Sequence, residues 1–130
     1  MKIVTIVCRY LLGLIFTVFG LNGFLHFLPM QPPPSQLAVQ FMTAVFASHY
    51  MAVVFLVQVV GGVLLLAGRF VPLALAILGP VLVNILDFHI TMNPGGIGPG
   101  AVSTVLWLIL FWRYRANFKG IFEVRPEPKG

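Results

Sequence analysis

Long apolar stretches alternate with short breaks along the whole chain. The apolar stretches cover residues 3–28, 50–67, 70–92 and 101–115, and most positions within them are hydrophobic. A helix needs about 20 predominantly apolar residues to cross the roughly 30 Å hydrocarbon core of a bilayer. The pattern therefore predicts an all-α polytopic membrane protein. We expect a single domain, residues 1–130, built as a four-transmembrane-helix bundle.

A shorter segment, residues 36–48, lies between the first two apolar stretches. Its polar residues Gln36, Gln40 and Thr43 recur at i, i+4 and i+7, so they share one face of a helix whose other positions are mostly apolar. The segment is too short to cross a bilayer. We therefore predict a short outer interfacial helix that lies along the membrane surface and caps the bundle.

The basic residues predict which side of the membrane each break faces. All eight Lys and Arg residues fall at one end of the apolar stretches, and the cytoplasmic flanks of membrane helices carry the excess of such residues. We therefore predict that both termini, Arg69 and a tail at residues 116–130 are cytoplasmic. By the same reasoning, His49 and residues 93–100 face the outside. The eight residues are Lys2, Arg9, Arg69, Arg113, Arg115, Lys119, Arg125 and Lys129.

Composition excludes most other classes of protein. Hydrophobic residues make up 59% of the chain and charged residues 8%, and the mean hydropathy is +1.01; a typical soluble domain is about 25% charged. The net charge of +5 does not indicate a nucleic-acid partner, because the basic residues flank apolar stretches instead of forming a solvated basic face. The expected partner is the lipid bilayer, where each basic residue near anionic headgroups contributes roughly 1 kcal/mol.

Stand-alone catalysis is not expected from this sequence. The single cysteine, Cys8, leaves no second cysteine for an intrachain disulfide or a C-x-x-C redox pair. The sequence also contains no phosphate loop, no nucleotide-binding fingerprint and no paired nucleophile and base. We therefore assign no catalytic residue.

Polar side chains within the apolar stretches form a second pattern. At about 1.5 Å per residue, Asn22 and Asn84 lie roughly 20 Å from the cytoplasmic end, and Gln58 lies about 12 Å from the outer end. Separate helices therefore place polar side chains at overlapping depth in the outer half of the bundle. This overlap predicts a shared ligand-binding site formed by Asn22, His26, Gln58, Asn84 and Asp87.

Asp87 is central to this prediction because it is the only acidic residue before the C-terminal tail. An ionisable residue within a membrane span is by default a candidate functional site. Four interpretations remain open: a ligand or proton site, a position near enough to the outer surface to be hydrated, interhelical hydrogen bonds worth about 0.6 kcal/mol each, and a metal or haem site. The sequence has no H-x-x-x-H pair or Cys/His cluster that would place two ligands on one helix face, so we assign no metal ligand.

Several stretches of the sequence resemble the DoxX family of small bacterial membrane proteins, and the matching motifs lie in the first three apolar stretches. They are R-x-L-L-G-L-I-F-x-V-F-G-L-N-G-F-L-H-F at residues 9–27, G-G-V-L-L-L-A-G-R at 61–69, V-P-L-A-L at 71–75 and V-N-I-x-x-F-H at 83–89. The resemblance implies a four-helix fold in the bacterial cytoplasmic (inner) membrane. It also implies a link to quinone-coupled sulfur oxidation or to membrane oxidoreductase complexes. Gln58 stands where the family usually has a glutamate, which argues against a proton-linked role at this position.

These observations lead to one preferred function and two alternatives. The preferred function is a non-catalytic membrane subunit or accessory of a quinone-linked oxidoreductase complex, with a quinone as the suggested cofactor and a partner subunit or a second copy of the chain as the suggested protein partner. One alternative is a small solute or proton transporter that uses a bend at Gly79 and Pro80 as a gate. The other is a structural or assembly protein, in which the polar residues only hold helices together.

Overall fold

The computed structural model describes residues 2–30 and 32–129, and within them the fold is all-helical. Five α-helices are joined by short turns, and two stretches of 3-10 helix, Pro94–Gly96 and Arg115–Phe122, flank the last of them. No strand occurs in the described residues. The predicted all-α class is therefore confirmed. The α-helices are α1 (Lys2–Leu25), α2 (Gln36–Ala47), α3 (Met51–Ala67), α4 (Val71–Met92) and α5 (Gly98–Arg113).

Four of these helices contact one another in a closed order. Helix α1 packs against α3 and α5, and α4 packs against the same two helices from the other side. Large aliphatic side chains from all four helices meet in the middle and are fully buried: Leu12, Leu65, Leu75, Leu78 and Leu110. Most of the outward surface of the helices is also apolar, which suits contact with lipid better than contact with water.

The contact between α1 and α3, which we call the α1–α3 seam, is the most extensive in the molecule. Glycines allow the two backbones to approach closely: a Cβ atom at Gly62 would lie 2.6 Å from the backbone nitrogen of Thr17, and one at Gly13 would lie 3.0 Å from the carbonyl oxygen of Gly62. Backbone atoms in a helix cannot move aside cheaply. Small residues are therefore required at this crossing, as is common where membrane helices pack.

Two helices, α1 and α4, are each long and apolar enough to cross a membrane, with 24 and 22 residues respectively. Helices α2 and α3 meet at an angle of 83° and together would make a third, broken span. Helix α5 has 16 residues, which is short of the roughly 20 needed for a full crossing. The described residues thus contain two or three candidate spans by length and composition, which agrees with a membrane protein.

The first helix ends earlier than the predicted limit at residue 28. It stops at Leu25, and His26 then adopts a left-handed backbone conformation with φ of 51°. The side-chain oxygen of Asn22 accepts a hydrogen bond from the backbone N–H of Leu28 at 2.7 Å. The polar residue in the last turn therefore ends the helix before Pro29 is reached.

Helix α2 lies against the end of α4 that contains Met92. The hydroxyl of Ser35 accepts a hydrogen bond from the Ala38 N–H at 3.0 Å and donates one to the Met92 carbonyl oxygen at 2.6 Å. The rings of Phe41 and Phe88 pack nearby, with centroids 5.6 Å apart. Ser35 thus caps α2 and fixes its start to α4 at the same time.

The packed part of the chain continues beyond the predicted end of the fourth span at residue 115. Helix α5 begins at Gly98 with proline in its first turn, where proline is well tolerated, and it ends at Arg113. The following 3-10 helix carries Phe118, whose side chain is buried against Phe111 with ring centroids 4.9 Å apart. Residues after Lys119 are exposed as far as Lys129.

Candidate functional site

The five residues predicted to share one site fall into two groups. Asn22 and Gln58 are buried, with relative exposures of 3% and 6%. His26, Asn84 and Asp87 are exposed. The structure therefore does not bring the five residues together in one interior site, and their shared ligand-binding role stays a prediction. Distance along a helix gives depth but not the direction of a side chain, and Asn84 and Asp87 turn out to lie on the outward face of α4.

The two buried residues have different surroundings. Asn22 forms the hydrogen bond to Leu28 that ends α1, so its side chain has a local structural role. Gln58 lies on α3 opposite Gly20 of α1, where a Cβ atom on the glycine would be 3.0 Å from the Gln58 Cβ. The Gln58 amide forms no hydrogen bond to any part of the chain that the structure describes. Nearby in the same seam, the Thr17 hydroxyl is the one side-chain polar atom of the described residues that is buried without a partner.

No member of the predicted set links one helix to another within the described residues. Asn22 bonds to the loop that follows its own helix, and Asn84 Nδ2 donates to the Pro80 carbonyl oxygen, one turn earlier on α4, at 3.0 Å. Gln58 and Asp87 contribute no side-chain hydrogen bond to the described residues. Interhelical hydrogen bonding within the chain therefore does not account for these polar residues.

The side chains that do link helices were not singled out from the sequence. Trp107 Nε1 on α5 donates to the Leu75 carbonyl oxygen on α4 at 2.9 Å. Arg9 Nη1 on α1 donates to the Leu65 carbonyl oxygen on α3 at 2.6 Å. Both acceptors are backbone carbonyls, and any residue offers one of those. The sequence could have identified the donors, because a tryptophan or arginine well inside an apolar stretch needs an acceptor.

The outward face of α4 carries a row of polar side chains, which we call the α4 polar stripe: Asn84, Asp87 and Thr91. All three are exposed, and they lie at i, i+3 and i+7 along one face. Asn84 and Thr91 donate to carbonyl oxygens of their own helix, Thr91 Oγ1 to that of Asp87 at 2.7 Å. The Asp87 carboxylate differs from its neighbours because it has no partner in the described residues.

The histidines do not gather around this carboxylate. His89, on α4, directs its Nδ1 toward the Ile85 carbonyl oxygen of the same helix at 2.7 Å, which the nitrogen can donate to. His26 and His49 lie at helix ends in left-handed conformations. Across residues 2–30 and 32–129, no group of three or more His, Cys, Asp or Glu side chains is placed to hold a metal ion.

In comparisons with known proteins, no family model, no curated protein and no solved structure matches the chain.

Proposed function

We propose that this chain is a four-crossing membrane protein of the DoxX type, in the bacterial cytoplasmic membrane, and that it acts as a non-catalytic subunit which binds another membrane protein through the α4 polar stripe. One observation carries the proposal. Asp87 is exposed, without a partner in the described residues, on the outward face of a helix that is long and apolar enough to span a membrane.

The energetic cost of this arrangement supports a protein partner. A carboxylate at the centre of a membrane helix costs about 2.5 to 3.5 kcal/mol on insertion scales, and such residues normally face a protein or water-filled surrounding. Asp87 lies about 8 Å along α4 from its end at Met92, nearer that end than the centre of the helix, so its cost is a fraction of the central value. A neighbouring helix that supplied hydrogen-bond donors would offset much of this cost.

The chain itself supplies no Lys or Arg near Asp87. All eight basic residues occur at the opposite ends of the apolar stretches. A partner that matches the stripe would therefore provide hydroxyl, amide or imidazole donors, or a cation of its own. A second copy of this chain would provide the exposed His26 or His49.

The four crossings are supported by the charge distribution more than by helix length. Helix α5 is about 24 Å long at 1.5 Å per residue, a few ångströms short of the hydrocarbon core. A short helix is accommodated by local thinning of the bilayer and by basic flanking side chains that extend to the headgroups. Arg113 and Arg115 occupy that position, and the Arg115 guanidinium lies 4.2 Å from the centroid of the Trp112 ring.

The redox part of the proposal rests on the DoxX resemblance alone. In that view the partner belongs to a quinone-linked oxidoreductase complex, and the quinone is held by the partner or at its contact with the stripe. Asn84 is the residue of the stripe whose amide oxygen is free to accept a hydrogen bond, because its Nδ2 already donates to Pro80. The membrane-subunit proposal does not depend on this redox assignment.

Site-specific photo-crosslinking in native membranes tests the proposal. A photoreactive residue at Ile90, beside the stripe, is compared with one at Val53 on α3, which is similarly exposed at 68% against 63% and similarly close to its helix end. We expect a discrete adduct from position 90 only, and we expect Asp87→Leu to abolish it. Mass spectrometry of the adduct then distinguishes a second copy from another subunit. Equal adducts at both positions, or an adduct that survives Asp87→Leu, would contradict the proposal.

A further inference from the structure

A cavity of about 420 Å³ lies at the end of the helices where the basic residues are, whereas the α4 polar stripe lies toward the opposite end of α4. It is bordered by the first turns of α1, the turn between α3 and α4, and the end of α5. Three cations line it, together with a hydroxyl, a glycine and a phenol. We call it the basic cavity, and its residues are Lys2, Thr5, Arg9, Gly68, Arg113 and Tyr114.

Arg9 is held rigidly in this cavity. Its Nη1 donates to the carbonyl oxygens of Leu65 at 2.6 Å and Leu66 at 3.4 Å, and its guanidinium carbon lies 4.7 Å from the Tyr10 ring centroid. The guanidinium also covers Gly68, where a Cβ atom would meet Nη1 at 2.5 Å. A guanidinium has five N–H donors, and those on Nε and Nη2 have no acceptor in the described chain. A fixed, planar pair of unused donors is suited to the oxygens of a phosphate or carboxylate.

The other two cations have donors to spare as well. Arg113 Nε donates to the Thr5 hydroxyl at 3.0 Å, which leaves both of its terminal nitrogens without an acceptor in the described residues. Lys2 is exposed and forms no hydrogen bond there either. None of the described residues that line the cavity is acidic. Three positive charges thus share one concave surface with no carboxylate to neutralise them, which favours an anionic ligand.

We propose that the basic cavity binds the phosphate of an anionic phospholipid headgroup. This inference relies on membrane insertion, which is part of the proposed function, but not on a protein partner at the α4 polar stripe. The cavity lies at the ends of the apolar helices, where the headgroup layer of a leaflet would be. The exposed apolar side chain of Ile6 on α1 also lines the cavity. A lipid can cover this side chain with its acyl chains, and free inorganic phosphate cannot. Basic pockets between membrane helices bind lipid headgroups in this way.

Lipid titration followed by native mass spectrometry tests the inference on the full chain in a non-ionic detergent. Phosphatidylglycerol is compared with phosphatidylcholine of the same acyl chains. We expect one phosphatidylglycerol per chain to bind more tightly than phosphatidylcholine. The double variant Lys2→Gln/Arg113→Gln is expected to lose about 30-fold in affinity for phosphatidylglycerol. The matched control Arg69→Gln/Arg125→Gln removes two charges from the same end without touching the cavity, and it is expected to lose about threefold at most.

Lys2→Gln alone keeps the experiment decisive if the double variant folds poorly, because Lys2 is exposed and makes no hydrogen bond to the described residues. It is expected to lose about fivefold, against little change for Arg69→Gln. Equal losses in cavity and control variants would overturn the inference in favour of diffuse surface charge. Inorganic phosphate that binds as tightly as the lipid would overturn the lipid assignment. Because the titration is done in detergent, it is independent of the cysteine-labelling and crosslinking experiments that test membrane insertion and the partner.

Discussion

The α1–α3 seam and the α4 polar stripe contain similar residues in very different surroundings. Both place an amide in an apolar helix roughly 20 Å beyond a preceding arginine, Asn22 after Arg9 and Asn84 after Arg69. In the seam, glycines bring two backbones together and polar side chains are buried between them. On the stripe, the polar side chains are exposed. The contrast shows that the direction of a polar residue, more than its depth, decides whether the chain or another molecule must satisfy it.

The largest effect is expected when the close contact of the seam is disturbed. In Gly62→Ala the new methyl group would lie 2.6 Å from the backbone nitrogen of Thr17, so the helices must separate. We expect the free energy of unfolding in detergent to fall by about 3 kcal/mol. Gly120→Ala is the control: it lies in the second 3-10 helix, has no positive φ and has no atom within 4 Å of the added Cβ, so it should cost nothing measurable. Similar stabilities for the two variants would show that the seam is not closely packed.

A smaller difference is expected between the two asparagines. Asn22→Leu leaves the partly buried N–H of Leu28 without its acceptor, and we expect a loss of about 1 kcal/mol in the free energy of unfolding. Asn84→Leu removes only a bond to the Pro80 carbonyl oxygen on an exposed face, so a change within about 0.5 kcal/mol is expected. Chemical denaturation of both variants in the same detergent measures the comparison. A larger loss of stability for Asn84→Leu than for Asn22→Leu would contradict our assignment of Asn22 to the interior and Asn84 to the exposed surface.

The last expected effect is a gain in the free energy of unfolding, opposite in sign to the losses above. The Thr17 hydroxyl is buried in the seam without a partner in the described residues, so Thr17→Val is expected to raise the free energy of unfolding by about 1 kcal/mol. Asp87→Leu should leave that quantity within about 0.5 kcal/mol in detergent, because the side chain forms no hydrogen bond in the described chain. Thermal unfolding of the two variants beside the native chain checks both statements. A loss of stability in Thr17→Val would mean that the hydroxyl is satisfied within the seam.

The sequence predicted the helices well and the directions of their polar residues poorly. The segments predicted at 36–48, 50–67 and 70–92 appear as helices Gln36–Ala47, Met51–Ala67 and Val71–Met92. Apolar length and the positions of Gly and Pro are sufficient for that. Polar side chains in a membrane helix normally face the interior of the bundle, so the polar face of α4 was expected to point inward, whereas the structure leaves it exposed. For this reason the outward direction of Asp87 could not be derived.

Hydrogen bonds from polar side chains to the backbone could not be predicted from the sequence either. The contact of Asn22 with Leu28 depends on His26 leaving the helical conformation, and the contact of Arg9 with Leu65 depends on the crossing of α1 and α3. Both are consequences of tertiary packing. The basic cavity was missed for the same reason, since Lys2, Arg9 and Arg113 are brought together only when α1 and α5 pack side by side.

The number of membrane crossings is the claim on which the proposed function most depends, and labelling of single cysteines tests it most directly. In a Cys8→Ser background, an impermeant thiol reagent is added to intact cells that carry His49→Cys, Arg69→Cys or Lys129→Cys. Four crossings predict labelling of position 49 from outside, and labelling of positions 69 and 129 only after the membrane is permeabilised. Labelling of position 129 from outside would show that α5, with its 16 residues, does not complete a fourth crossing, and would contradict the account.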